Sequence, residues 1–144
     1  MGFLNWFKNQ DEENVESSQL NLLSDNSQPV RRRTDGAAVR NDFTNTIKEK
    51  QGSGEAIARS TNKMTHNIFG CETEELYEQT GGRKNRRETL PKDAQDAYVV
   101  GEVAATHKLK ATEIKGNQQQ RDEQIVDTVD ESSKQVKGLF PWNW

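Results

Sequence analysis

Four cations follow a Gly-Gly pair within five residues, in the run Gly81-Gly82-Arg83-Lys84-Asn85-Arg86-Arg87. Guanidinium groups bind phosphates and carboxylates through paired N–H donors, and glycines leave backbone amides open to an anion. The sequence therefore predicts contact with an acidic partner through the basic turn, which consists of Arg83, Lys84, Arg86 and Arg87. The alternative is a solvated surface loop that offsets nearby acids, namely Glu72, Glu74, Glu75 and Glu78. A nucleotide-binding P-loop is not indicated, because its G-x-x-x-x-G-K-[ST] spacing is missing.

Few other residues could carry a reaction. The two histidines, His66 and His107, stand far apart, and neither has a Cys, His or carboxylate at metal-ligand spacing. The single cysteine, Cys71, also lacks such neighbours and reads as a loop or helix-start residue. We therefore expect no catalytic residue, no metal site and no cofactor, and we do not expect an enzyme.

Aromatic residues gather at the two ends of the chain instead of its middle. The terminal aromatics are Phe3, Trp6, Phe7, Phe140, Trp142 and Trp144. Large aromatic side chains commonly anchor one protein in a groove of another or at a membrane surface. The terminal aromatics are thus candidate partner anchors. The alternatives are that the ends fold back onto the domain, or that their position is incidental.

Composition indicates a small, polar protein. The chain has 144 residues, of which 31% are hydrophobic and 30% charged, and its mean hydropathy is -1.05. Such a chain has room for one domain with a modest core plus tails. A lone cysteine fits a reducing cytoplasm, and no apolar run approaches the roughly 20 residues of a membrane span. We expect a cytoplasmic protein with no membrane attachment.

Charge is unevenly distributed along the chain. Residues 31–92 hold 13 Lys and Arg residues against nine acids, whereas the segments on both sides are acidic and the whole chain carries a net charge of -3. This excess is small compared with that of a dedicated nucleic-acid-binding protein. A protein partner is expected, DNA is compatible, and self-association is left open.

Hydrophobic periodicity predicts an all-α fold, a small bundle of three to five helices. Apolar residues recur at steps of three and four between 55 and 69, where Ser53 is a candidate N-cap and Gly70 a candidate C-terminal stop. Further helices are predicted at 43–50, 73–79, 91–110 and 118–137. The predicted organisation is an aromatic segment at 1–8, a disordered linker at 9–40, a helical domain at 41–138 and an aromatic tail at 139–144.

The order of motifs between Asn62 and Phe140 resembles the C-terminal region of the phage antirepressor (BRO-like) and DNA-damage-inducible protein D group. The matching residues are Asn62, Thr65, Ile68, Phe69 and Gly70, then Lys84, Asn85, Arg86 and Arg87, then the run Gly101–Thr106 with Leu109 and Gly116. Residues 1–40 are too short and too polar to form the larger N-terminal domain that usually accompanies this region. The resemblance implies a stand-alone accessory module in phage regulation or the DNA-damage response, and it supplies no catalytic residue.

Overall fold

The computed structural model describes residues 2–13 and 29–142, and within them the chain is all-α. Six helices follow one another: α1 (Phe3–Glu13), α2 (Pro29–Glu49), α3 (Gly54–Phe69), α4 (Thr73–Thr80), α5 (Lys92–Ala111) and α6 (Gln118–Val136). Short 3-10 turns occupy Arg87–Thr89 and Lys137–Leu139. Over the same ranges no strand forms, and the single backbone bridge joins Arg83 to Arg86.

The four long helices form a bundle in two parallel pairs. Arg40 meets Glu102 and Lys50 meets the carbonyl of Thr112, so α2 and α5 run in the same direction. Ser53 meets Asp122 and Asn67 meets Asp130, so α3 and α6 also run together. The tight connections between α2 and α3 and between α5 and α6 make each of these chain neighbours antiparallel.

Local sequence signals explain where the helices begin and end. The Ser53 hydroxyl accepts a hydrogen bond from the Ala56 amide, which confirms it as the N-cap of α3. Gly70 ends α3 in the left-handed region at φ 73°, as predicted. Asn117 caps α6 in a reciprocal capping box with Gln120.

A glycine allows α5 to pack closely on α3. A Cβ atom at Gly101 would lie 2.7 Å from Ile68 Cδ1 and 3.0 Å from Met64 Sδ. A larger residue here would force the ends of these two side chains to shift, so glycine lets α5 approach α3 without displacing them. Small residues on the buried side of α5, namely Ala94, Ala97, Gly101 and Ala105, therefore serve packing within the bundle.

Two helices extend into the range predicted as a linker, 9–40. Residues 9–13 continue α1, and α2 begins at Pro29 instead of near Asp42, while residues 14–28 lie outside the described part. Proline is tolerated at a first helical position. In the part of α2 whose side chains are described, Gly36 faces Val99 of α5 and Arg40 pairs with Glu102. These contacts hold the helix where its sequence lacks the regularly spaced apolar residues from which periodicity predicts a helix.

The prediction that the aromatic ends serve as partner anchors is wrong for Phe3 and Trp142. Both are buried in the core, with 0% and 5% of their surface exposed. The Phe3 ring packs edge-on against Trp142 and Phe69 at 4.7 and 5.1 Å between centroids. The Trp142 indole N–H donates to the Ile68 carbonyl oxygen at 2.8 Å, which satisfies a carbonyl in the last turn of α3.

The remaining terminal aromatics surround this pair. Trp6, Phe7 and Phe140 are partly buried against the same core. Trp6 and Phe140 each lie 5.0 Å from Trp142, centroid to centroid. Trp144 lies outside the described residues. Both ends of the chain therefore fold back onto the bundle, which was the alternative to the anchor hypothesis.

We predict that Phe3→Ala lowers the free energy of unfolding by about 3 kcal/mol or more, because it empties a fully buried aromatic position. Asn5→Ala, an exposed change on the same helix, should shift it by less than about 0.5 kcal/mol. Urea denaturation followed by circular dichroism measures both. Equal stability of the two variants would show that α1 does not dock as described.

Candidate functional site

Two glycines turn the chain out of α4 and into the basic turn. Gly81 ends the helix in the left-handed region at φ 76°, and its amide donates to carbonyls in the last turn of α4. The Gly82 amide donates to the Tyr77 carbonyl at 2.9 Å. Two successive hydrogen bonds of this kind close the end of a helix and fix the direction of the departing chain.

Residues 83–86 form a tight turn that a threonine holds closed. The Arg86 amide donates to the Arg83 carbonyl at 2.9 Å, and Asn85 has a φ of 64°, the positive value that a type II turn needs at its third residue. The Thr89 hydroxyl oxygen accepts from the Arg83 amide at 2.8 Å and donates to the Arg86 carbonyl at 2.5 Å. These hydrogen bonds contribute to the order of the turn in the absence of a ligand.

Three of the four predicted contact cations lie on the solvent side of this turn. Arg83, Lys84 and Arg86 are exposed. Lys84 pairs with Glu74 at 3.2 Å and Arg86 with Glu88 at 3.5 Å. Exposed ion pairs of this kind stabilise a protein by only about 0–1 kcal/mol, so a partner can replace them at little cost.

The fourth predicted contact cation, Arg87, points inward instead of towards solvent. Its guanidinium Nη1 donates to Glu102 Oε1 at 2.7 Å, and only 26% of its side chain is exposed. The guanidinium also lies over the ring of Tyr98, 4.0 Å from the centroid, in cation–π geometry. Arg87 anchors the turn to the bundle.

Glu102 holds a second arginine on its other oxygen. Arg40 Nη1 donates to Glu102 Oε2 at 2.8 Å and to the Thr61 hydroxyl at 2.9 Å. Only 1% of the Glu102 side chain is exposed. We call Arg40, Glu102 and Arg87 the ion cluster; with Thr61 it joins α2, α3, the basic turn and α5.

Burial and charge determine the protonation of the groups around Glu102. Burial disfavours the charged form of Arg87, but the Glu102 carboxylate outweighs it and raises the arginine's pKa above its ordinary value. Burial raises the pKa of Tyr98 to about 12, although its hydroxyl shares a 2.6 Å hydrogen bond with Thr65. Arg87 therefore stays charged and Tyr98 neutral at physiological pH.

The sequence contained a signal for this cluster that periodicity did not reveal. Glu102 follows Gly101 on the buried face of α5 and stands four residues after Tyr98. A carboxylate on such a face must be paired, since burying an unpaired charge is costly. The sequence did not show which of the many arginines would pair with it.

The residues considered for metal or redox chemistry do not come together. His66 Nδ1 lies 3.1 Å from Glu72 Oε1 at the surface, and His107 is exposed on α5. Cys71 is buried, with 7% of its surface exposed. Among residues 2–13 and 29–142, no three His, Cys, Asp or Glu side chains cluster as metal ligands. None of the helices described there is long and apolar enough to cross a bilayer.

We predict that Glu102→Ala lowers the free energy of unfolding by about 3 kcal/mol, because it leaves two partly buried guanidinium groups without their carboxylate. Glu123→Ala is the matched control, since Glu123 pairs with Arg59 at 2.9 Å but both side chains are well exposed. Its loss should cost less than about 1 kcal/mol. Similar losses for the two variants in urea titrations would contradict the structural role of Glu102.

We also predict that Cys71 reacts slowly with a thiol reagent in the folded protein. Burial, with further contributions from Glu75 and Glu72, raises the pKa of the Cys71 thiol to about 12. Only the thiolate is reactive, so at mildly alkaline pH the native protein should react at least about tenfold more slowly than the unfolded chain. Equal rates in buffer and in denaturant would show that Cys71 is not enclosed as described.

A scan against protein-family models and searches of the curated proteins and the solved structures found no match to this chain. The motif resemblance therefore rests on its residues alone, and several of them have packing roles here. Phe69 is buried in the core, Gly70 ends α3, and Arg87 and Glu102 pair across the ion cluster. The shared motif positions thus account for helix packing and leave the exposed turn as the candidate for binding.

Proposed function

We propose that this protein is a non-enzymatic regulatory or accessory protein that binds an acidic partner through the exposed side of the basic turn. Arg83, Lys84 and Arg86 make the contact, and Arg87 holds the turn in place. The partner is a protein, and DNA is the further candidate. The motif resemblance supports a setting in phage regulation or the DNA-damage response.

The main support for the proposal is that the backbone of the basic turn is well ordered. Hydrogen bonds from Thr89, the 2.9 Å bond between Arg86 and Arg83, and the Arg87–Glu102 pair fix its backbone. A pre-ordered backbone reduces the entropy lost when a partner binds, so more of the interaction energy remains as affinity.

The side chains themselves remain adaptable. Lys84 and Arg86 expose 68% and 65% of their side chains, so water screens their pairs with Glu74 and Glu88. Arginines can engage a carboxylate or phosphate with two parallel N–H donors, which gives geometry as well as attraction. The turn thus combines a fixed backbone with three cations that can reorient towards an anion.

We predict that the triple variant Arg83→Ala/Lys84→Ala/Arg86→Ala binds anionic probes at least about tenfold more weakly than the unaltered protein. The probes are a labelled all-glutamate peptide and short labelled single- and double-stranded DNA, each measured by fluorescence anisotropy at about 50 mM and about 200 mM salt.

A variant with the same change in net charge controls for non-specific attraction. It replaces three exposed lysines outside the turn by alanine, namely Lys48, Lys63 and Lys115. This control should bind nearly as well as the unaltered protein. If the turn variant binds every probe as tightly as the control does, the turn is not the contact and the proposal fails.

A further inference from the structure

The surface around the basic turn carries more negative than positive charge. Four exposed carboxylates precede the turn, and together they form what we call the acidic rim: Glu72, Glu74, Glu75 and Glu78. Glu88 is exposed directly after the turn. Against these five acids stand the three exposed cations of the turn and Lys8, whose Nζ donates to Gln79 Oε1 on the rim helix at 3.4 Å, because the charge of Arg87 is already paired with buried Glu102. The turn is therefore a small positive tip beside a larger negative surface.

The acidic rim is close enough to act on anything that touches the turn. Glu74 contacts Lys84 directly at 3.2 Å. The eight residues of α4 span roughly 12 Å at the usual helical rise. That length is slightly greater than the Debye length of about 10 Å at 0.1 M salt, so the far end of the acidic rim acts on a ligand at the turn only when the salt is more dilute.

This arrangement disfavours an extended polyanion. Duplex DNA carries one charge per roughly 1.7 Å of its axis, so a duplex laid against the turn also brings phosphates towards the acidic rim. Like charges facing each other across an interface suppress binding. A single acidic side chain on a protein brings one negative charge to the turn instead of a row of them, and basic residues beside it can pair with the rim carboxylates.

Resting on the proposed function, we infer that the basic turn and the acidic rim together form one mixed-charge docking surface for a protein. The partner presents an acidic side chain to Arg83 and Arg86, and lysines or arginines to the rim. The rim also gives selectivity, since the negative charge that attracts these basic residues repels nucleic acid.

The first test neutralises the rim with Glu72→Gln, Glu74→Gln, Glu75→Gln and Glu78→Gln in the full chain, and measures binding to a labelled duplex of random sequence. At about 50 mM salt the rim variant should bind the duplex at least about tenfold more tightly than the unaltered protein. Adding the three turn substitutions to the rim variant should abolish that gain. Circular dichroism checks that all variants are folded.

A variant with the same net charge separates the rim from a general charge effect. It neutralises four exposed acids on other elements, namely Glu49, Glu113, Glu123 and Asp127. Its affinity for the duplex should rise by much less than that of the rim variant. An equal rise in the two variants would overturn the inference, because position would then not matter.

The second test compares two labelled peptides with the unaltered protein, one of glutamates alone and one in which a block of lysines follows the glutamates. The mixed peptide should bind several-fold more tightly, and NMR shifts should appear in both the turn and the rim. Tighter binding of the all-glutamate peptide would overturn the inference.

The outcomes distinguish this inference from the proposed function. If the unaltered protein binds the duplex as tightly as the rim variant does, or if neither binds it, the rim does not reject DNA and the inference fails. The proposed function still stands in both cases when the turn substitutions weaken binding of the all-glutamate peptide. It fails when they have no effect on any probe.

Discussion

The carboxylate of Glu102 is the constraint on which the rest of the structure depends. It lies almost completely out of solvent, and each of its oxygens accepts from a different arginine at 2.7 and 2.8 Å. A buried charge that loses its partner destabilises a protein strongly, so the fold has to keep Arg40 and Arg87 in place. The ion cluster attaches the basic turn to α5, and it adds to the packing of α2, whose Phe43 and Ile47 are fully buried in the core. Few residues of this chain are apolar, so burial of apolar surface alone leaves polar segments unattached to the core. The ion cluster attaches some of these segments.

The same cluster connects the two other features of the molecule, the aromatic ends and the exposed turn. The Tyr98 ring packs on Phe69 at 5.0 Å between centroids, and the Phe69 ring also packs against Phe3 and Trp142. The guanidinium of Arg87 lies over the Tyr98 ring. These aromatic rings thus hold the Tyr98 ring in place beneath Arg87. Arg87 is the cation of the turn that faces the bundle. Arg87 points inward, whereas Arg83, Lys84 and Arg86 are exposed and form the proposed contact surface.

Hydrophobic periodicity predicted the helices that have a stripe of apolar residues. It did not predict helical segments that pack through other interactions. The helix at 55–69 and its stop at Gly70 were predicted from the sequence, since repeating apolar residues and a left-handed glycine are local signals. The first half of α2 was not predicted, because it packs through Arg40 and Gly36, whose partners on α5 are about 60 residues away. The site was predicted in part. Adjacent cations look alike in sequence, and only the position of Glu102 separates Arg87 from its exposed neighbours. The terminal aromatics were ambiguous for a similar reason, since composition does not reveal what they pack against.

The most direct test of this account is amide hydrogen exchange at the basic turn in the unaltered protein and in Glu102→Gln, which keeps the shape of the side chain but removes its charge. The account predicts that the amides of Arg83, Arg86 and Thr89, which are hydrogen-bonded within the turn, are protected in the unaltered protein. In Glu102→Gln these amides should lose protection while those in the middle of α6 keep theirs, because the turn loses its attachment before the bundle opens. Equal protection of the turn amides in the two proteins would show that the turn is held by its own hydrogen bonds, and would contradict the central role given to Glu102.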